Sequence, residues 1–130
     1  MKQSESELIL NLYDFLPSDG EDNIELHYVD GNLNLILFYE SDDGTESKKT
    51  IRFNSTLQYF QGLFPGFSFF TCKDDNNIPV VGSVVQYGRS EFLEKSVDKC
   101  IRDDFKHYSL ALNTVGFAFD IIAESIEIIG

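Results

Sequence analysis

The run Ile24–Tyr39, IELHYVDGNLNLILFY, decides the fold class. Ile24, Leu26 and Tyr28 alternate with Glu25, His27 and Val29. After Asp30-Gly31 and Asn32, the residues Leu33, Leu35, Leu37 and Tyr39 alternate with Asn34, Ile36 and Phe38. A period of two puts successive side chains on opposite faces of a strand. Asp-Gly between two such runs is the strongest short-range hairpin signal a sequence carries. The second run is apolar on both sides from Leu35 to Tyr39, which places it centrally in its sheet.

Working outward, Ser41–Glu46 reads as the next turn, with Asp43-Gly44 at its tip. Lys48–Phe53 is the return strand, Ile51 and Phe53 inward and Arg52 outward, so three strands form a meander. Leu57, Tyr59, Phe60, Leu63 and Phe64 fit either a helical turn capped by Asn54-Ser55-Thr56 or a further β segment. Phe67–Cys72 reads as a short aromatic strand, Lys73–Asn77 as a polar turn, and Pro79–Tyr87 as a strand. Upstream, Leu8, Leu10 and Leu12 alternate with Ile9, Asn11 and Tyr13. That favours a strand over a short helix at 4–12, ahead of a loop at Ser18–Asn23.

Ser90–Arg102 carries the clearest helical pattern. Ser90 is the N-cap, Glu91 and Glu94 lie in the first turn, and Lys99 and Arg102 lie near the end, all in accord with the helix dipole. Phe92, Leu93, Val97, Cys100 and Ile101 make one apolar face. His107–Asn113 and Phe117–Ile129 are two further strands around Gly116. The sum is one α+β domain spanning 1–130. It is a twisted, mainly antiparallel sheet of about seven strands with one main helix, about 90–102, packed on one face.

A chain of 130 residues can bury roughly two-thirds of its unfolded surface, so it folds without a disulfide or metal. Twelve Phe and six Tyr with no Trp point to a core of aromatics on strands. Cys72 and Cys100 match no zinc or redox spacing, and read as free thiols. The N-terminus has no signal-peptide pattern, and no segment approaches the roughly 18 apolar residues of a membrane span. The expected location is the cytoplasm.

Charge is distributed very unevenly. Between Lys2 and Lys48 there is no basic residue, and twelve acids precede Lys48: Glu5, Glu7, Asp14, Asp19, Glu21, Asp22, Glu25, Asp30, Glu40, Asp42, Asp43 and Glu46. The whole chain carries −12, yet beyond residue 47 ten acids face nine bases. Such a field repels nucleic acid and anionic membranes and steers basic proteins inward. It also serves solubility without any partner.

No catalytic, metal or nucleotide motif stands out. The acids at Asp42/Asp43/Glu46 and Asp74/Asp75 lack the alternating ligands and closing Glu of a calcium loop. The glycines form no phosphate-binding pattern. His27 and His107 are the only histidines; His107 reads as a strand-edge residue making an ordinary hydrogen bond. No catalytic residue, metal site or cofactor is therefore expected. Tyr28, Tyr39 and Tyr59 are interface anchors provided that their faces reach solvent.

Three segments carry a resemblance: Ser90-Glu91-Phe92-Leu93, Lys106-His107-Tyr108, and Phe119-Asp120-Ile121-Ile122-Ala123-Glu124. Together they resemble small uncharacterised bacterial proteins, among them immunity proteins of polymorphic toxin systems. The likeness covers about 40 residues of loose motif. It implies a small non-enzymatic α+β domain and transfers no binding residues, because such proteins recognise toxins through variable surfaces. The expected function is binding of a basic protein, such as a toxin domain. Glu25, Asp30, Glu40, Asp42, Asp43 and Glu46 would form an acidic rim, with Tyr28 or Tyr39 as anchors. The rival expectation is a small-molecule module or minor enzyme with a pocket between sheet and helix.

Overall fold

The computed structural model describes residues 2–3, 6–63, 71–72, 82–87, 90–97, 104–112 and 114–130. The expected aromatic strand at 67–70, the turn at 73–77, the strand start at 79–81 and the helix beyond Val97 lie outside them. So do Cys100 and the side chain of Cys72.

Eleven strands occur among the described residues: β1 Lys2–Gln3, β2 Ser6–Asn11, β3 Asn23–Val29, β4 Asn32–Glu40, β5 Glu46–Asn54, β6 Gln58–Leu63, β7 Thr71–Cys72, β8 Ser83–Tyr87, β9 Lys106–Leu112, β10 Phe117–Ala123 and β11 Ser125–Ile129. A 3-10 turn at Leu12–Asp14 follows β2, and one helix, α1, spans Glu91–Ser96. Nine strands build two antiparallel sheets, ordered β2-β8-β9-β10-β6 and β11-β5-β4-β3. β1 and β7 form a separate parallel pair. The chain is thus richer in sheet than the seven-strand expectation.

The β3–β4 hairpin forms as its sequence dictates. Asp30 and Gly31 both take positive φ, 53° and 81°, as a two-residue type I′ turn requires. β4 lies between β3 and β5, and Leu33, Leu35 and Leu37 are fully buried. Each such burial is worth roughly 1.5–3 kcal/mol.

The chain crosses from one sheet to the other at two places, one within the strand expected over 117–129 and one between the strand expected over 48–53 and the segment that fitted either a helical turn or a further β segment. β5 passes into β6 through Ser55–Leu57, and β10 passes into β11 at Glu124. β5 pairs with β11 while β6 pairs with β10, so one two-stranded ribbon belongs to both sheets and bends between them. Backbone bonds carry the ladder through the bend: Glu124 N donates to Asn54 O and Leu57 N to Ile122 O, each at 2.9 Å. The expected single strand 117–129 is therefore corrected. Phe119, Ile121 and Ala123 face the core, but beyond Glu124 it is Ile126, not Ser125, that packs inward. A strand that changes sheets at a bend also changes which parity faces the interior.

The main core fills the space between the sheets, with Leu33, Leu35, Leu37, Ile51 and Phe53 opposing Val84, Leu110, Leu112, Phe119 and Ile121. α1 lies on the other face of the five-stranded sheet, where Phe92, Leu93 and Val97 cluster with Ile122. α1 ends at Ser96, where Val97 takes extended backbone (φ −131°, ψ 134°); the remainder of the expected helix, 98–102, lies outside the described residues. Its predicted start holds: the Ser90 side chain accepts the Leu93 N–H at 3.0 Å. No helix among the described residues is long and apolar enough to cross a membrane.

Candidate functional site

The ribbon's bend is tied down by short polar contacts. Thr56 N donates to Gly31 O at 2.8 Å, and Ser55 N to Asn32 Oδ1 at 2.9 Å. Thr56 Oγ1 donates to Phe53 O at 2.8 Å. Ser55 takes a positive φ of 51°, a conformation uncommon outside glycine, so these bonds hold a strained corner. The Tyr28 hydroxyl spans from β3 and donates to Thr56 O at 2.9 Å. These ties use the backbone and polar tips and leave apolar surface outward. Tyr28 is 56% exposed, Leu57 49% and Tyr59 41%. With Thr56 and Gln58 they line a groove of about 360 Å³. Beyond it along β6, Leu63 is 74% exposed.

The sequence-predicted rim is split by the fold. Asp30 sits in the turn beside this corner, since its neighbour Gly31 bonds Thr56. Glu40 and Glu46 face each other at the opposite end of the β4–β5 hairpin, with Asp42 and Asp43 in its turn. The nine residues of β4 separate the two ends by about 30 Å at the usual rise. Glu25 is exposed on the outer face of β3, 3.5 Å from His27. That face also carries bases. Arg52 Nε donates to Asn34 Oδ1 at 3.0 Å, with Glu127 3.5 Å from its guanidinium. Lys48 stands opposite Phe38. In the hairpin turn, the Thr45 backbone N–H, then its hydroxyl, hold the Asp43 carboxyl below the usual carboxylate range.

Tyr39 does not meet the condition set for an anchor. Odd-numbered residues of β4 face the core, so Tyr39 is only 8% exposed, its ring 6.1 Å from that of Phe15. Tyr28 shares the inward parity of β3, but lies at the end of an edge strand where the core runs out.

A second constellation escaped sequence reasoning. His107 is no strand-edge residue: β9 lies between β8 and β10, and His107 is fully buried. Its Nε2 lies 2.7 Å from Asp120 Oδ1 and its Nδ1 2.8 Å from Ser90 Oγ. The rings of Tyr87 and Phe92 flank it at 5.0 and 5.2 Å. These contacts are compatible with one set of hydrogen-bond directions. Nε2–H donates to Asp120, the Ser90 hydroxyl donates to Nδ1, and Ser90 Oγ accepts Leu93 N–H. The order Ser–His–Asp is that of a nucleophilic triad. Ser90, however, is 3% exposed and its oxygen caps α1, so the arrangement ties the helix to the sheet. The available signal was the run of small and apolar residues from Tyr108 to Leu112, which marks a strand buried on both faces.

Among the described residues no three His, Cys, Asp or Glu side chains are gathered to hold a metal ion. Comparison with protein-family models, curated proteins and solved structures found no match.

Proposed function

We propose that this chain is a non-enzymatic protein-binding domain that captures a basic protein, in the manner of an immunity protein neutralising a basic toxin. The observation that carries the reading is the groove of Tyr28, Leu57 and Tyr59, a cluster of exposed aromatic and aliphatic side chains on a rigid corner. Large amphipathic rings on a fixed backbone are the usual anchors of interfaces, because they bury much area at low entropic cost. The net charge of −12 supplies the partner's sign and speeds encounter, while the groove supplies the affinity. The acids at 40–46 act as a second, distant contact that a partner reaches only by spanning the β4–β5 hairpin.

The test is co-purification from the native host with wild type and the double variant Tyr28→Ala/Tyr59→Ala, followed by identification and salt titration of what is bound. Recovery of one basic protein by wild type only, with slower association at high salt, supports the reading. An acidic or neutral partner, or equal recovery by both proteins, overturns it.

A further inference from the structure

Among the described residues the groove is lined by Tyr28, Thr56, Leu57, Gln58 and Tyr59, and none of the five is charged. Two of its hydroxyls have their protons committed elsewhere. The Tyr28 hydroxyl donates to Thr56 O at 2.9 Å, and the Thr56 hydroxyl donates to Phe53 O at 2.8 Å. A hydroxyl has one proton and two lone pairs, so toward a ligand each of these can only accept. An anion or a carbonyl finds no donor in either. The two tyrosine rings are available in another way. Among the described residues neither pairs with a second ring, and they are 56% and 41% exposed. The face of such a ring carries the negative part of its quadrupole and attracts a cation. Asp30, in the adjoining turn, adds a carboxylate nearby, on a protein whose net charge is already −12.

We propose that the groove receives one arginine side chain of the basic partner. This deepens the binding reading above and rests on it. The methylene stem lies along Leu57, and the guanidinium lies against the tyrosine rings, whose faces carry the affinity. Arginine suits the site better than lysine. A guanidinium is flat, weakly hydrated and stacks on aromatic faces, whereas an ammonium is a compact charge that holds its water. A guanidinium also has five N–H donors and no acceptor, which matches a groove whose Tyr28 and Thr56 hydroxyls only accept. The absence of charge on the lining residues leaves the cation's own attraction to the rings and to the acidic body unopposed.

The probe is a short Gly/Ser peptide with one central Arg, titrated into the isotope-labelled full chain and read by NMR shifts of amides and tyrosine rings. Sister peptides carry Lys, citrulline or Leu in place of Arg. The Arg peptide is expected to shift Tyr28 and residues 56–59. The citrulline and Leu peptides are expected to bind at least about fivefold more weakly, as the loss of one or two cation–π contacts implies, with Lys between. Tyr59→Phe keeps an aromatic face and is expected to keep the binding. Tyr59→Leu keeps apolar bulk only and is expected to lose about fivefold; Tyr59 lies outside the core, so neither change empties it. Asp30→Asn, a residue that the type I′ turn favours, is expected to weaken binding by about twofold at low salt. Four results overturn the proposal: citrulline or Leu binding as well as Arg, Lys binding as well as Arg, Tyr59→Leu without effect, or shifts centred on the acids at 40–46. If native-partner capture still depends on Tyr28 and Tyr59 in those cases, the binding reading stands and arginine recognition alone falls.

Discussion

The Tyr28 hydroxyl donates to the Thr56 carbonyl at 2.9 Å, and so fastens β3, the last strand of one sheet, to the corner where the other begins. The same ring forms a wall of the groove. Tyr28→Phe removes the bond and keeps the wall. It is expected to cost about 0.5–1.5 kcal/mol of stability in urea denaturation and to change partner affinity little. Tyr28→Ala removes both and is expected to lower affinity by about tenfold or more. Equal affinity loss in the two variants would show that the bond, not the aromatic face, matters.

Ser90 is expected to behave as a cap and latch. Ser90→Ala should cost about 1–2 kcal/mol for the helix cap, and about 1–3 kcal/mol more for the hydrogen bond lost to buried His107. Asp120→Asn should be coupled to it through the shared imidazole, with a non-additive double-mutant cycle. A serine-directed fluorophosphonate is expected to leave the folded protein unlabelled at Ser90. Labelling that Ser90→Ala abolishes would make Ser90 a nucleophile instead.

Tyr108 lies in the core, its ring 5.8 Å from that of Phe53, and burial pushes its phenol above the usual value of 10.0. The unfolded chain then loses this proton at lower pH than the folded one. Its contribution to stability is complete below about pH 10 and is lost as pH rises toward the folded value. Denaturant midpoints measured from pH 8 to 11 should fall at the alkaline end. Tyr108→Phe should flatten that fall; an unchanged slope would place the titration elsewhere.

Glu40 and Glu46 are direct cross-strand partners of like sign. Such pairs destabilise a hairpin, and an opposite-charge pair contributes about 0.2–1 kcal/mol. Glu46→Lys is therefore expected to raise stability by about that amount. If the hairpin tip helps to draw in a basic partner, the same substitution should slow association in stopped-flow at low salt. A stabilised variant with unchanged association rate would remove the tip from the binding surface.

By itself the sequence determined the local elements whose cause is local. Asp30-Gly31 makes its turn because few other residues accept positive φ, and Ser90 starts its helix because its oxygen reaches the Leu93 amide. The alternation in β4 placed Leu33 to Tyr39 toward the core; it buried Tyr39 as surely as its neighbours, and so withdrew it from the interface. Tertiary structure alone decided the rest. The apolar alternation from Phe117 slips phase at Glu124-Ser125, so that Ile126 and Ile128 follow on the other parity, but only the ribbon shared with β5 and β6 shows that the chain changes sheets there. The groove of Tyr28 and Tyr59 joins residues from different sheets, and the His107 site joins a helix cap to two strands. Charge fared likewise. Composition fixed its sum, but the length of β4 parted Asp30 from Glu40 and Glu46, since contacts distant in sequence depend on register and packing that no single segment encodes.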